Sequence, residues 1–186
     1  MLLRWSDTLI TSERLVLAPP AKSDFEDWAR VRTDSRAHLV PWEPVWPQDA
    51  HSKADWNRRM RAWRHGWKDG HARIFLIRRI EDNTLVGGVS MTNIRRWPAL
   101  SANLGYWLAA DLQGQGYMGE GVQAICTWAF DVLGLWRVEA GTLPENSRSR
   151  AVLEGCGFVE EGYAKAYLEI AGARRDHVLY GLVKEA

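Results

Sequence analysis

Apolar residues fall along this chain in two alternating rhythms, one of strands and one of helices. Leu15 to Ala18 is a short apolar run closed by Pro19 and Pro20, the pattern of a strand. Ser23, with Glu26 three residues on, predicts a capped helix carrying Phe25, Trp28 and Val31. Ser52 and Asp55 predict a second helix start, and Trp56, Met60, Trp63 and Trp67 then recur at spacings of four, three and four. From Ile74 the rhythm changes. The run Ile74 to Ile77, the turn residues Glu81 to Thr84 and the run Leu85 to Ile94 read as a hairpin, its first arm apolar enough for burial on both faces. Gly87 and Gly88 in the second arm signal a bulge or a close approach of another backbone. Asn103 to Ala109 reads as a third neighbouring strand. After it a glycine-rich turn meets a helical face of Met118, Val122, Ile125, Cys126, Ala129 and Leu133. Trp136 to Thr142 is a further strand. Pro144 to Arg150 opens a short helix that Gly155 and Gly157 close before a strand at Phe158, and Val178 to Val183 is an apolar final strand. The expected fold class is α/β, with hairpin strands early and a strand, turn, helix, strand unit at the centre.

At 186 residues, with 46% apolar and 11% aromatic side chains, the chain is expected to form one domain, 1–186, with a sizeable core. Lys and Arg number 24 against 23 Asp and Glu, so no global field favours a polyanion such as nucleic acid. The distribution is less even than the total. From Trp97 to Trp136 there is no Lys or Arg, while Asp111, Glu120 and Asp131 lie within, so an anion bound there is expected to be held by backbone. Cys126 and Cys156 have no CxxC spacing and match neither a zinc framework nor a secreted disulfide scaffold; buried thiols, one disulfide or chemistry stay open. The opening residues lack the basic region and apolar run of a signal peptide, and no stretch approaches eighteen apolar residues, so a cytoplasmic protein without a membrane span is expected.

The glycine-rich turn carries the chemistry. Gly114, Gly116, Gly119 and Gly121 allow positive φ and bare N–H groups, and the helix that follows adds unsatisfied donors and a favourable dipole. Together they form an anion nest, or else a tight turn needed only for packing. The run is not GxxxxGK[ST], since no lysine follows, and its bare GxGxxG match lacks the acidic residue about twenty positions later. A ligand with a flexible pyrophosphate remains.

The segment Gln113, Gly114, Gln115, Gly116, Tyr117 resembles the acetyl-CoA pyrophosphate loop of the GCN5-related N-acetyltransferases, which runs Gln/Arg, any, any, Gly, any, Gly/Ala. Met118 stands where the last small residue belongs, with Gly119 directly after it. Arg137, Val138 and Glu139, then Pro144, Glu145, Asn146, Ser149, Leu153, Gly157 and Phe158, are similar to the family's second half. Most of the likeness is to the ribosomal-protein alanine N-acetyltransferase group, from the Ser12–Leu17 strand through Pro41–Pro44 to Arg175–Tyr180. The resemblance implies a single-domain fold of mixed sheet and flanking helices in which two parallel strands, here Asn103 to Ala109 and Trp136 to Thr142, splay apart to admit pantetheine. It implies acetyl-CoA as cofactor, held by Gln113, Gly114, Gln115, Gly116, Tyr117, Met118, Gly119, Leu108, Asn146 and Ser149, and direct acetyl transfer to a primary amine.

An α-amine with a pKa of about 7.7 to 8 is substantially neutral near pH 7, whereas lysine at about 10.4 is not, so the demand on a base is modest for a protein N-terminus. Glu139 is one base candidate, or else it pairs with Arg137 or Arg148. Relatives often carry glutamate where this chain has Asn103, which cannot act as a base. Ser149 is the candidate donor to the departing thiolate, a role the matching serine fills in close relatives, and Tyr167 is the secondary candidate. Trp42, Glu43, Trp46, Asn103 and Tyr106 are the substrate-side candidates, with Trp56 and Trp63 as further apolar walls. Trp42 and Trp46 either line a cleft or cover the core. Asp176 and His177 have no compact third ligand, so no metal is expected. The resemblance favours the N-terminus of a ribosomal protein as partner, acted on by a monomer or homodimer. A small-molecule amine or antibiotic, or a non-catalytic CoA- or peptide-binding module, are the alternatives.

Overall fold

Eight strands form one sheet, in the order β1-β2-β3-β4-β5-β6-β8-β7, in a computed structural model that describes residues 5–185. The first four residues of the opening segment lie outside the described residues. In chain order the elements are β1 (Ile10–Thr11), β2 (Leu15–Ala18), α1 (Phe25–Asp34), α2 (Arg36–Leu39), α3 (Lys53–Lys68), β3 (Arg73–Arg79), β4 (Leu85–Arg95), β5 (Ser101–Leu108), α4 (Tyr117–Asp131), β6 (Arg137–Thr142), α5 (Ser147–Gly155), β7 (Val159–Ile170) and β8 (Ala173–Val183). Every neighbouring pair is antiparallel except β5 and β6.

Strand β3 shows why its apolar run does not alternate. Phe75 and Ile77 point into the core under α4, and Leu76 points the other way into a second core with Trp28, Trp56 and Met60 from α1 and α3. Period-two geometry sends successive side chains to opposite faces, so a strand covered on both sides must be apolar throughout. Gly87 and Gly88 are needed for a close approach. A Cβ on Gly87 would stand 2.2 Å from the Trp107 carbonyl oxygen, and one on Gly88 2.5 Å from Trp107 Nε1. Gly121, on the face of α4 that meets the sheet, would put a Cβ 2.9 Å from Ile77 Cδ1. Cys126 is buried and Cys156 partly so, and both are free thiols.

Two expectations change. The Ser23–Glu26 cap is not made; a single 3-10 turn, Lys22–Asp24, precedes α1, and Asp24 Oδ2 accepts from Ala21 N–H at 2.7 Å instead. The cap of α3 does form, with Ser52 Oγ accepting from Asp55 N–H at 3.1 Å. Trp56 and Trp63 are no cleft walls: Trp56 is fully buried and Trp63 packs against it. The long hairpin of β7 and β8 carried little signal, because most of β7 is solvent-exposed at the sheet edge and so shows no apolar alternation. Its turn is Ala171–Gly172, both at positive φ. Among the described residues no helix is long and apolar enough to cross a membrane.

Candidate active site

The parallel pairing of β5 with β6 runs from Ser101↔Arg137 to Asn103↔Glu139 and stops. Beyond it the facing edges of the two strands are unpaired, and a cleft of about 1420 Å³ opens between them. One end of this cleft is the glycine-rich loop. Gly114 and Gly116 sit at φ 75° and 79°, a left-handed conformation that favours glycine. The first helical donor of α4 is Glu120 N–H, bonded to Gly116 O at 3.1 Å, which leaves the N–H groups of Tyr117, Met118 and Gly119 without helical acceptors. The Met118 side chain turns into the core, so the departure from a small residue there keeps its N–H in place.

The loop's charge is supplied from elsewhere in the chain as well as by backbone. Arg14, on the β1–β2 turn, donates to Gln115 O at 3.1 Å, pairs with Glu120 at 2.7 Å, and lies over the Tyr117 ring. From α5, Arg148 donates to Gln113 Oε1, while Gln113 Nε2 donates to Ala110 O. Two guanidinium groups therefore stand beside the segment without Lys or Arg: Arg148 lines the cleft, while Arg14 lies outside its lining and is paired with Glu120. Gln115 does not line the cleft; its carbonyl faces Arg14. Of the other residues expected to hold cofactor, Gln113, Gly114, Gly116, Tyr117, Met118, Gly119, Leu108, Asn146 and Ser149 all line the cleft.

At the first turn of α5, Asn146 Oδ1 caps the helix by accepting from Ser149 N–H at 3.1 Å. Ser149 Oγ lies 2.8 Å from the Tyr106 hydroxyl, which also stands 3.1 Å from Ser149 O. Burial, offset only in part by the bond to Ser149, pushes the Tyr106 hydroxyl up to about 12, so it remains a protonated donor at neutral pH. The pair joins two residues given separate roles above.

Opposite them, Glu139 lines the cleft with both oxygens occupied. Arg137 Nε donates to Oε1 at 2.9 Å and Arg95 pairs with Oε2, while Arg137 continues to Glu161. Tyr167 also lines the cleft, its ring edge-on to His177 at 5.5 Å. Asn103 and Tyr106 line it too. His38 and His177 were not among the predicted site residues; the RDH cluster was visible in the sequence, but its proximity to Gly141 arises only from the pairing of β6 with β8.

Trp42 and Glu43 border the cleft and Trp46 does not. The Glu43 carboxylate, one of the substrate-side candidates, is closed in a two-pronged pair with buried Arg32 and accepts from Trp46 Nε1 at 2.7 Å, so it holds the loop. Trp46 and Trp107 each present a ring to Arg32, at 5.1 and 5.0 Å. Across the cleft, Ala171 N–H donates to Glu43 O at 2.9 Å and joins the β7–β8 turn to this loop. His51 accepts from Arg32 Nε at Nε2, 3.3 Å away, and burial together with Arg32 lowers it to about 4. The unfolded chain, with histidine near 6.5, then binds the additional proton. Stability is full above about pH 6.5 and falls as pH drops towards 4, a direction His38 shares through burial and Arg148. Urea midpoints measured from pH 7.5 to 4.5 should show this slope, and His51→Asn should flatten it.

A family model described as Acetyltransferase (GNAT) domain matches residues 14–159. The ribosomal protein uS5-alanine N-acetyltransferase of Escherichia coli (strain K12) is 32% identical over 173 residues, covering 93% of this chain and 89% of that protein. Among solved structures, Mycobacterium smegmatis RimJ in complex with CoA-disulfide has a TM-score of 0.89 at 33% identity, covering 96% of this chain and 88% of that one. The ribosomal-protein-S5-alanine acetyltransferase of Vibrio fischeri has a TM-score of 0.88 at 32% identity, covering 96% and 98%.

Proposed function

The chain belongs to the acetyltransferase (GNAT) domain family, and from that membership we propose that it transfers the acetyl group of acetyl-CoA directly to the N-terminal α-amine of a protein, with a ribosomal protein as the favoured partner. One observation carries the reading: a single cleft runs from the glycine-rich anion nest, through the gap between β5 and β6, to the Ser149–Tyr106 pair. The residues present fit acetyl-CoA at its pyrophosphate, its pantetheine arm and its thioester. The N–H groups of Tyr117, Met118 and Gly119 suit the pyrophosphate, with Arg14 and Arg148 at its flanks. The unpaired edges of β5 and β6 offer main-chain groups to the pantetheine amides.

Acetyl-CoA, when bound, would supply a thioester whose sulfur gathers negative charge as the acetyl group leaves it. The Ser149 hydroxyl, 2.8 Å from the Tyr106 hydroxyl, whose own hydrogen goes to the Ser149 carbonyl oxygen, would turn its hydrogen to the sulfur and stabilise the charge growing there. Asn146 fixes the backbone of this turn. Glu139, held between Arg95 and Arg137, fixes the wall beside Asn103 and is poorly placed to take a proton. Support for a protein N-terminus comes from the pKa argument for an α-amine and from the names of the relatives.

A thiol-release screen tests this. It should contain peptides starting with Ala, Ser, Thr or Met, a lysine peptide with a blocked N-terminus, and polyamines and aminoglycosides. Release confined to free N-termini is expected. Release only with the small amines would move the substrate class, and CoA binding with no release from any acceptor would leave a binding module.

A further inference from the structure

With Glu139 committed to arginines, the cleft needs another group to accept the proton of the attacking amine. We infer that this group is His177, acting through Nε2 either directly or across one water; the inference rests on the acetyl transfer proposed above.

Three features single it out. First, the ring's tautomer is set. His177 Nδ1 lies 3.1 Å from the carbonyl oxygen of Arg175, and a carbonyl can only accept, so Nδ1 carries the proton and Nε2 the lone pair. Second, that lone pair is free where it matters. His177 is 3% exposed yet lines the cleft, and among the described residues none hydrogen-bonds to Nε2. Third, the sheet puts it on the face that carries Asn103 and Glu139, across the cleft from Tyr106. The pairs Asn103↔Glu139 and Gly141↔Leu179, with the two-residue period of a strand, place Asn103, Glu139, Gly141, Leu179 and His177 on one side. Gly141 leaves open the space beside the ring: a Cβ there would stand 3.7 Å from His177 Cδ2, the carbon bonded to Nε2, and 3.6 Å from Tyr167 Cε1. His38 also borders the cleft, but no hydrogen bond orients its ring.

The step balances. The amine nitrogen forms its bond to the acetyl carbon, and its extra proton passes to Nε2. The carbon–sulfur bond then breaks, and the thiolate, hydrogen-bonded by Ser149, is protonated from water. The imidazolium returns its proton to water in the open cleft. Its positive charge is meanwhile stabilised by the Arg175 carbonyl.

His177→Asn separates this role from a structural one, because an asparagine amide can still donate to the Arg175 carbonyl but has nothing at the Nε2 position. With acetyl-CoA and the best peptide acceptor, kcat should fall on the order of 10²-fold. CoA affinity, acceptor KM and the melting temperature should stay close to wild type, and added imidazole should restore part of kcat. Gly141→Ala fits without a clash but fills the space beside the ring. It should lower kcat/KM for the acceptor about tenfold with CoA affinity unchanged. The inference is overturned if His177→Asn keeps its kcat, if the loss is not rescued by imidazole and is accompanied by lost CoA affinity, or if His38→Asn shows the rescued loss instead. A wild-type protein that releases no thiol with any acceptor would overturn the acetyl-transfer reading, a separate result.

Discussion

Ser149→Ala is expected to lower kcat by about 10²- to 10³-fold while the dissociation constant of CoA changes little. The expectation follows from which atoms the substitution removes. The cap of α5 uses the backbone N–H of Ser149, bonded to Asn146 Oδ1, and that bond survives. The Tyr106 hydroxyl keeps its bond to the Ser149 carbonyl oxygen at 3.1 Å, so the buried tyrosine is not left without a partner. What disappears is the one hydroxyl at the first turn of α5 that Tyr106 orients from 2.8 Å. A donor aimed at charge that appears only in the transition state contributes to kcat and not to ground-state binding. Rapid-mixing thiol release and calorimetry with CoA together check it, and an unchanged kcat would remove Ser149 from the reaction.

Gly116→Trp should act the other way, weakening CoA binding on the order of 10²-fold with kcat at saturating acetyl-CoA largely retained. Gly116 holds φ at 79°, and a side chain there costs roughly 1 to 2 kcal/mol. Its Cβ would stand 3.4 Å from Arg14 Nη2, so a large group displaces the guanidinium or closes the nest. Loss of one hydrogen bond to a charged phosphate adds about 1.5 to 3 kcal/mol. Gly134 is the internal control. It sits at φ 68° with nothing within 4 Å of a built Cβ and lies outside the cleft, so Gly134→Trp carries similar backbone strain and should leave CoA affinity intact. Equal loss of affinity in both variants would show that strain, and not the nest, is being measured.

Legibility differed by region for physical reasons. Elements with a buried face were plain: β2 spans Leu15–Ala18, as its apolar run and two prolines indicated, and α3 begins at the Ser52 cap. Local chemistry was plain as well, since glycines at 114 and 116 advertise a left-handed turn before a helix. The β7–β8 hairpin was obscure because an exposed edge strand needs no apolar rhythm, and its Ala171–Gly172 turn lacks the usual asparagine. Trp42, Trp46, Trp56 and Trp63 look alike in sequence, yet Trp42 borders the cleft, Trp46 grips Glu43 and Trp56 fills a core. An aromatic side chain suits all three places, so residue type alone could not separate them.

The sequence by itself determined the family, the strand, turn, helix, strand unit and the left-handed glycine turn, because each rests on residues adjacent in the chain or on a short period. Tertiary structure alone decided who meets whom. Arg14 reaches Gln115 across 101 positions, Arg148 reaches Gln113 across 35, and Tyr106 reaches Ser149 across 43. It also took Glu139 and Glu43 out of the pool of free carboxylates by pairing them with arginines. Composition records how many charges a chain has, but the strength of each depends on distance and burial, and those exist only once the sheet has set its register.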